Sequence, residues 1–426
     1  MIGFARRQLA STLAVLSSFR GNARAILVTE PIWGIPYYLY TTYASVYMLA
    51  LGCTAQQVGL IATVGQAVQM ALSLASGWIT DRLGRKRTTL LFDLVSWSIP
   101  TLLWAFARGF RWFLAAAAIN AIVRIVATSW SCLLIEDTPA GQRVHVFTWI
   151  SVAGIVAGFI SPLAGLFVKS FGLVPAMQGL YLFAFASMTF MFFFRNSLLR
   201  ETAIGLAKMR ESQRVAMRAT LGEYARIAGH LARSPLTIAA FAISILANIA
   251  FFLKATFLPI LLIRGLGFPE ATIAVFPAIT SAIMLAVLVL VMPSLARRGI
   301  ARPLFAGTVC AAAGAALLAL SPSRSFPVAV ASTVLGGIGS ALTLPLSDTL
   351  IANTVAEADR AKAMSIYYVL LLGLTSPFGW IGGALSEISP RLPFLVMGIA
   401  LALAAAITLA VPRMERRQAG TAPADT

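Results

Sequence analysis

The sequence predicts an all-α integral membrane protein, with twelve transmembrane helices in two pseudo-symmetric six-helix bundles. Composition gives the first reason: 11% of the 426 residues are charged, 59% are apolar, and the mean hydropathy is +0.85. A soluble domain is about a quarter charged, so this chain cannot cover most of its surface with polar side chains. Apolar runs of membrane-spanning length and an internal repeat are the second and third reasons. The composition also excludes a disordered chain, a collagen and a disulfide-rich scaffold.

Twelve apolar runs are long enough to cross the hydrocarbon core of a bilayer, which takes about 20 residues of helix. Lipid offers no hydrogen bonds to the backbone, so runs this long and continuous form helices. In chain order the predicted spans are 26–50, 57–79, 89–107, 112–135, 146–168, 175–194, 236–263, 271–293, 304–321, 326–351, 364–385 and 392–411.

Basic residues are distributed unequally between the two sides. The N-terminus, the loops after even-numbered spans and the C-terminal tail hold most of the 33 Lys and Arg residues. By the positive-inside rule both termini lie in the cytoplasm, which predicts a multi-pass plasma membrane protein, of bacterial type. The net charge of +18 is then a topology signal, and no nucleic-acid partner is expected. Segment 1–25 is cytoplasmic, and Leu9, Leu13 and Leu16 give it the apolar face of a helix that lies on membrane lipids.

The chain divides into two halves that repeat each other. Segment 195–235 is the longest polar stretch; it separates a first bundle, 26–194, from a second, 236–411, and a cytoplasmic tail, 412–426, follows. A shift of 215 residues aligns six identities. They are Arg82 with Arg297, Gly84 with Gly299, Arg87 with Arg302, Gly158 with Gly373, Ser161 with Ser376, and Pro162 with Pro377. Repeated halves are typical of transporters in which one bundle rocks against the other.

The loop between spans 2 and 3 reads GWITDRLGRKR over 77–87. It resembles the signature loop of the major facilitator superfamily, G-x-x-x-D-R-x-G-R-[RK]. The fixed positions are matched by Gly77, Asp81, Arg82, Gly84, Arg85 and Lys86. Span count, central segment and repeat extend the resemblance over essentially the whole chain. It implies a monomeric transporter that works by alternating access.

The resemblance also implies a latch between the halves on the cytoplasmic side. Asp81 is expected to meet the start of span 11, where the positive end of a helix dipole favours a carboxylate. Arg85 is expected to pair with a carboxylate at the end of span 4, which here is Glu136 or Asp137.

Charged residues inside the spans indicate coupling to protons. Arg124 lies near the middle of span 4, where a cation faces a cavity or a partner. The resemblance links an Arg at this place to proton coupling, and Glu30 in span 1 is its expected partner, forming a two-state electrostatic switch. Alternatively, Glu30 caps the start of its helix or meets Arg24. Asp348 is expected to couple protons or to contact Arg297 or Arg298 at a gate.

Two further charges lie inside spans. Asp93, just inside span 3, predicts a structural ion pair. Lys254 lies about ten residues from the external end of span 7, too deep to reach the surface easily, which predicts a solute or an acid as its partner.

The solute site is expected at the midplane between the halves. Its predicted lining, beside Arg124, is Trp33, Tyr37, Tyr40, Asn120, Asn248 and Lys254. Trp33, Tyr37 and Tyr40 recur at helical spacing on span 1. No nucleotide-binding loop or metal-ligand spacing is present, so we expect no cofactor and no enzymatic activity.

Three functions remain open: export of drug-like molecules or metabolites, uptake of a sugar or another polar nutrient with protons, and a sensor or enzyme on a transporter scaffold. Span 5 favours export slightly, because Gly154-x-x-x-Gly158-x-x-Ser161-Pro162-x-x-Gly165 partly resembles an element of the exporting branches. It departs from that element at Ser161 and Leu166.

Overall fold

The structure, a computed structural model, describes residues 19–211, 226, 228–229, 231–295, 299–355 and 360–421. The predicted lipid-surface helix with Leu9, Leu13 and Leu16, most of the central segment, and Arg297 and Arg298 lie outside these ranges. Throughout the described ranges the regular structure is helical.

The described residues contain eleven helices that are long and apolar enough to cross a membrane. They are Ala55–Leu83, Arg85–Ala105, Phe110–Ile135, His145–Phe171, Leu173–Leu198, Pro235–Gly265, Glu270–Val291, Ala301–Ala319, Phe326–Thr354, Ala363–Ile388 and Leu392–Arg416. The first span precedes them as two helices, Gly21–Thr41 and Ala44–Ala50, separated by a turn. In the described part of the chain the count is therefore twelve, as predicted. Span 6 continues to Leu198, so Arg195 belongs to its helix and not to the central segment.

The two halves repeat the same kink in spans 5 and 11. Pro162 has no N–H, so the carbonyl of Gly158 loses its helical donor; the Ser161 hydroxyl donates to it instead, at 2.8 Å. In span 11 the Ser376 hydroxyl donates to the carbonyl of Gly373 at 3.2 Å, just before Pro377. The repeated residues thus form a repeated structure, which supports the prediction of pseudo-symmetry.

The two halves meet on the side away from the termini. There, span 2 crosses span 11 and span 5 crosses span 8. The Thr63 hydroxyl donates to the carbonyl of Ser376 at 2.7 Å. The Ser161 hydroxyl also lies 3.0 Å from the carbonyl oxygen of Ala274, which shares its single proton with the carbonyl of Gly158. The Tyr43 hydroxyl of span 1 donates to the carbonyl of Glu270 at 3.0 Å. We call this set of crossings the outer interface.

Glycines bring the crossing helices into backbone contact. A Cβ at Gly59 of span 2 would lie 2.1 Å from the carbonyl oxygen of Gly379 in span 11. A Cβ at Gly158 of span 5 would lie 2.1 Å from the hydroxyl oxygen of Ser281 in span 8. Small residues allow helices to pack this closely in membranes. Any larger residue at Gly59 therefore opposes the conformation in which the outer interface is closed, because the atom that it meets belongs to the backbone.

Candidate functional site

The side that carries the termini contains the predicted latch residues. The Arg85 guanidinium, only 4% exposed, lies 2.8 Å from Asp81 and 3.2 Å from Glu136. The prediction that Arg85 pairs with a carboxylate at the end of span 4 is therefore confirmed, with Glu136 as the partner. Glu136 also accepts a hydrogen bond from the Thr202 hydroxyl. Arg85 thus connects the start of span 3 to the end of span 4.

Asp137, the other carboxylate at the end of span 4, has a different partner. Its side chain accepts a hydrogen bond from the Asn22 amide at 3.0 Å, and that amide also donates to the carbonyl of Arg200 at 2.9 Å. Partial burial raises the pKa of the Asp137 carboxyl, and the neighbouring Glu136 carboxylate raises it further. Asp137 therefore joins the ends of spans 1, 4 and 6 within the first half.

Sequence analysis missed Glu201, a main contact of the signature loop. Its carboxylate accepts the backbone N–H groups of Arg85 and Lys86, at 3.0 and 2.9 Å. These groups begin the helix of span 3 and have no acceptor within it. A Cβ at Gly84 would lie 2.7 Å from both Glu201 and Met209, and the φ of Gly84 is +84°. The positive φ favours glycine there, and the side chains of Glu201 and Met209 occupy the space beside it.

The remaining signature residues are less constrained in this conformation. The Arg82 guanidinium lies 4.5 Å from the centre of the Trp78 ring. A Cβ at Gly77 would meet nothing within 4 Å, so a close approach at that residue is not seen here. Asp81 lies 2.8 Å from Arg85, and its expected contact with the start of span 11 stays a prediction.

A buried ion pair lies inside the first half, with a third charge near it. Arg195 of span 6 forms an ion pair with Asp93 of span 3, which confirms the predicted pairing of Asp93. Both side chains are almost fully buried. Glu30 of span 1 lies close enough to interact electrostatically with both groups. Asp93 therefore forms the ion pair with the Arg195 guanidinium, and the Glu30 carboxylate lies near that pair.

Arg124 does not pair with Glu30, contrary to the sequence-based expectation. Its guanidinium lies over the ring of Tyr368 in span 11, 4.2 Å from the ring centre. Its Nε is buried and has no hydrogen-bond partner within the described residues. Tyr368 also interacts electrostatically with Asp348 of span 10. Arg124 is thus a cation of the first half that faces the second half near mid-membrane.

Asn120 supports span 3 in this conformation. Span 3 contains a stretch of π-helix, Leu94–Ser98, followed by Pro100. Because Pro100 has no N–H, the carbonyl of Ser96 lacks its usual donor, and the Asn120 amide donates to it at 2.7 Å. Asn248, another predicted solute contact, donates to the carbonyl of Ser244 in its own helix at 2.8 Å. Neither interaction is with the opposite half, so their solute-binding roles remain predictions.

The aromatic stripe on span 1 packs against spans 3 and 6 of its own half. Trp33 stacks on Tyr37 with ring centres 4.7 Å apart, and both rings meet Trp97 edge-on. Tyr40 is buried against Tyr181, at 4.8 Å. Helical spacing predicted correctly that Trp33, Tyr37 and Tyr40 share a face. The expectation that this face lines a midplane site is not supported by these contacts.

Lys254 lines a small recess inside the second half, between spans 7 and 10. No charged group among the described residues interacts with it. The acid partner that sequence analysis allowed is therefore not found in that part of the chain.

The fold and its sites can now be compared with known proteins. Residues 32–330 and 302–426 match the family model of the Major Facilitator Superfamily. No curated protein sequence matches the chain. A mutant of the nucleoside transporter NupG is similar in structure, with a TM-score of 0.74, 15% identity, and coverage of 92% of this chain and 100% of that one.

Two other transporters show the same likeness. A POT family transporter in complex with 5-aminolevulinic acid has a TM-score of 0.73 and 15% identity, and the match covers 92% of this chain and 96% of that one. A D-xylose-proton symporter has a TM-score of 0.71 and 14% identity, with coverage of 90% and 96%. At such identities the likeness concerns the fold alone.

The helices, repeat and interfaces thus define a membrane transporter rather than an enzyme, as predicted. The chain belongs to the Major Facilitator Superfamily.

Proposed function

We propose that the chain is a proton-coupled transporter that moves a small organic solute by alternating access, with export favoured over uptake. The coupling rests on one observation: Glu30 lies near the buried ion pair of Arg195 and Asp93 inside the first half. With both acids ionised, these three residues carry a net negative charge, and one bound proton makes them neutral. Uncompensated charge is costly at membrane depth, so proton uptake there changes the free energy of a buried structure.

Span 1 connects this cluster to the outer interface. Glu30 lies in its first helix, and Tyr43, which donates to the carbonyl of Glu270 in span 8, lies near its other end. A proton at Glu30 removes one charge from a helix that itself takes part in the contact between the halves. We therefore expect protonation to shift the balance between the closed and open outer interface.

Reconstituted protein in liposomes tests the coupling. A thermal-shift panel of nucleosides, short peptides, sugars, organic acids and lipophilic cations first identifies a solute that binds. We expect Glu30→Gln to lose accumulation driven by a pH gradient but to keep exchange of labelled solute at equal concentrations. The matched control is Glu415→Gln, an exposed carboxylate near the end of span 12. Accumulation by Glu30→Gln at the unmodified rate would refute coupling through Glu30.

Arg124 supports a solute that offers acceptor oxygens. Its guanidinium faces the second half near mid-membrane, and it meets the ring of Tyr368 rather than a carboxylate. A cation there repels lipophilic cations and attracts carboxylates or other oxygen-rich groups. In the panel we therefore expect organic acids or peptides to stabilise the protein more than lipophilic cations do.

Uptake with protons is the second candidate. The structural likeness to a D-xylose-proton symporter is compatible with it, whereas the stretch from Gly154 to Gly165 in span 5 favours export through its partial resemblance to exporters. Liposomes preloaded with solute and diluted into solute-free buffer separate the two. Solute efflux acidifies the lumen if solute and protons are exchanged, and it makes the lumen alkaline if they move together.

We further propose that both termini lie in the cytoplasm of a plasma membrane and that the protein acts as a monomer. The excess of basic residues on the side of the termini supports this orientation. A tag on the C-terminus, tested for protease access in intact cells and in inverted vesicles, checks the orientation.

A further inference from the structure

An apolar groove runs between spans 7 and 11 of the second half. Its volume is about 580 Å³, and the end of the central segment borders it on the side of the termini. Nearly all of its lining is apolar and includes Leu231 of the central segment, Phe241, Ala242 and Ile249 of span 7, and Ile366 and Leu374 of span 11.

The groove lies on the side of span 11 that faces away from Arg124. The ring that meets Arg124 belongs to Tyr368, which is two residues from both Ile366 and Leu370. Residues two positions apart point about 200° apart around a helix, so the groove and the ring of Tyr368 lie on opposite faces. Leu370 is 41% exposed, and Ile238, at the rim on span 7, is 51% exposed. Exposed apolar side chains of a membrane span contact lipid, so the groove opens towards the bilayer.

The length and polarity of the groove match a lipid chain. Along span 7 it extends from Thr237 to Ile249, which is about 18 Å of helix. The hydrocarbon core of a bilayer is about 30 Å thick, so one leaflet takes up roughly 15 Å. The one polar side chain of the lining is Thr237, and its hydroxyl already bonds to that of Ser234, at 2.9 Å. An ordered water molecule needs about two to four polar partners, so water is a poor occupant of this groove.

Basic residues lie at the end of the groove on the side of the termini. Arg233 is exposed and directly follows the lining residue Ala232. The stretches that form the two walls, 226–249 and 360–386, contain four Lys and Arg residues and no Asp or Glu. All four lie within the first eight residues of their stretch, at Arg226, Arg233, Arg360 and Lys362. Basic clusters at the end of a membrane span attract the phosphate groups of anionic lipids.

We propose that this groove binds one acyl chain of an anionic phospholipid, whose phosphate lies against Arg233. The lipid belongs to the leaflet on the side of the termini. A smaller recess of about 210 Å³ adjoins the groove, and Ser73 and Leu74 of span 2 line it. The lipid therefore lies beside the place where spans 2 and 11 of the two halves meet. The proposal goes beyond the transport function and does not depend on its coupling or direction.

Lipid titration followed by native mass spectrometry tests the site. Protein freed of lipid in detergent is titrated with phosphatidylglycerol or with zwitterionic phosphatidylcholine of the same chain length. We expect the first phosphatidylglycerol to bind about tenfold more tightly than phosphatidylcholine, because the basic residues attract its charge. Ala242→Phe fills the groove and is expected to weaken this binding about tenfold. Arg233→Gln is expected to reduce the preference for phosphatidylglycerol about fivefold.

Two matched variants control for general effects of size and charge. Ala186→Phe enlarges an exposed alanine of span 6, and Arg413→Gln removes an exposed arginine near the end of span 12. Both are expected to keep the affinity and the preference of the unmodified protein.

A cryo-electron microscopy map of the unmodified protein in phosphatidylglycerol nanodiscs gives a readout that does not depend on a variant. Elongated density between Phe241 and Leu370 that ends at Arg233 supports the proposal. Equal affinity for the two lipids, unchanged affinity in Ala242→Phe, an empty groove, or a groove filled by residues 212–225 overturns it. Displacement of the lipid by a transported solute, lost in Ala242→Phe, also overturns it and assigns the groove to the solute.

Discussion

Glu387 of span 11 connects the two halves at the outer interface. Its carboxylate oxygen accepts the backbone N–H of Ala55 and, at 3.3 Å, that of Gln56. These are the first N–H groups of helix Ala55–Leu83, and the helix itself provides no acceptor for them. A side chain of the second half therefore caps a helix of the first half. This contact exists only while the outer interface is closed.

This geometry determines how much a substitution of Glu387 destabilises the closed outer interface. Glu387→Gln keeps an acceptor oxygen but removes the charge, and a charge at a helix N-terminus contributes about 0.3–1 kcal/mol. Charge-assisted hydrogen bonds are also stronger than neutral ones. We therefore expect Glu387→Gln to destabilise the closed interface by about 1 kcal/mol, near the upper end of that range. Glu387→Ala removes the acceptor as well, for a loss of about 2 kcal/mol. The ratio of closed to open molecules then falls about fivefold in the first variant and about thirtyfold in the second.

Single-molecule fluorescence measures that ratio directly. Dyes are attached to cysteines introduced as Arg108→Cys and Ser323→Cys, exposed positions in loops on the outer side of each half, after the native cysteines are replaced by alanine. We expect the long-distance population to grow about fivefold relative to the closed one in Glu387→Gln. Glu415→Gln, far from the interface, is the control. Unchanged populations in both Glu387 variants would refute the assignment of Glu387 as a contact that stabilises the closed interface.

Other contacts give predictions of similar size. Glu201→Gln is expected to lower the free energy of unfolding by about 1 kcal/mol in thermal unfolding, because two helix-end N–H groups lose a charged acceptor. Asn120→Ala leaves the carbonyl of Ser96 without its donor, which is expected to cost about 1–3 kcal/mol of stability in thermal unfolding. Tyr368→Leu removes the ring under Arg124, a contact that contributes about 1–2 kcal/mol, so we expect the rate of transport to fall several-fold. Tyr368→Phe keeps the ring, and we expect it to keep the transport rate.

The fold could be predicted from the sequence because lipid imposes simple rules. A span must be apolar over about 20 residues, and its backbone must satisfy its own hydrogen bonds, so composition alone gives the helices. The identities at Ser161-Pro162 and Ser376-Pro377 revealed the repeat, and the structure shows why they recur: each serine replaces the donor that the following proline removes.

The sites were predicted less completely, because side chains meet partners that are distant in the sequence. Helical spacing placed Trp33, Tyr37 and Tyr40 on one face, but it could not show that this face meets spans 3 and 6. The position of Arg124 near the middle of span 4 indicated a functional role. Its neighbour Tyr368 could not be predicted, because it lies in the other half of the chain. Glu201 lies in a polar segment without periodicity, so no pattern in the sequence marked it.

Cross-linking of the outer interface tests alternating access most directly. A Cβ at Gly158 would lie 3.3 Å from the Cβ of Ser281, just below the 3.5–4.5 Å typical of disulfides. Gly158→Cys with Ser281→Cys, in protein without native cysteines, should therefore form a bond between the halves. The matched control is Ser98→Cys with Thr189→Cys, whose native hydroxyls lie 2.6 Å apart within the first half.

Solute flux in liposomes is then measured before and after oxidation. We expect oxidation of the Gly158–Ser281 pair to abolish flux and a reductant to restore it, because the outer interface must open in every cycle. The oxidised Ser98–Thr189 pair is expected to keep its flux, because spans 3 and 6 move together. Undiminished flux through protein with a complete Gly158–Ser281 cross-link would contradict the proposed movement of the two halves.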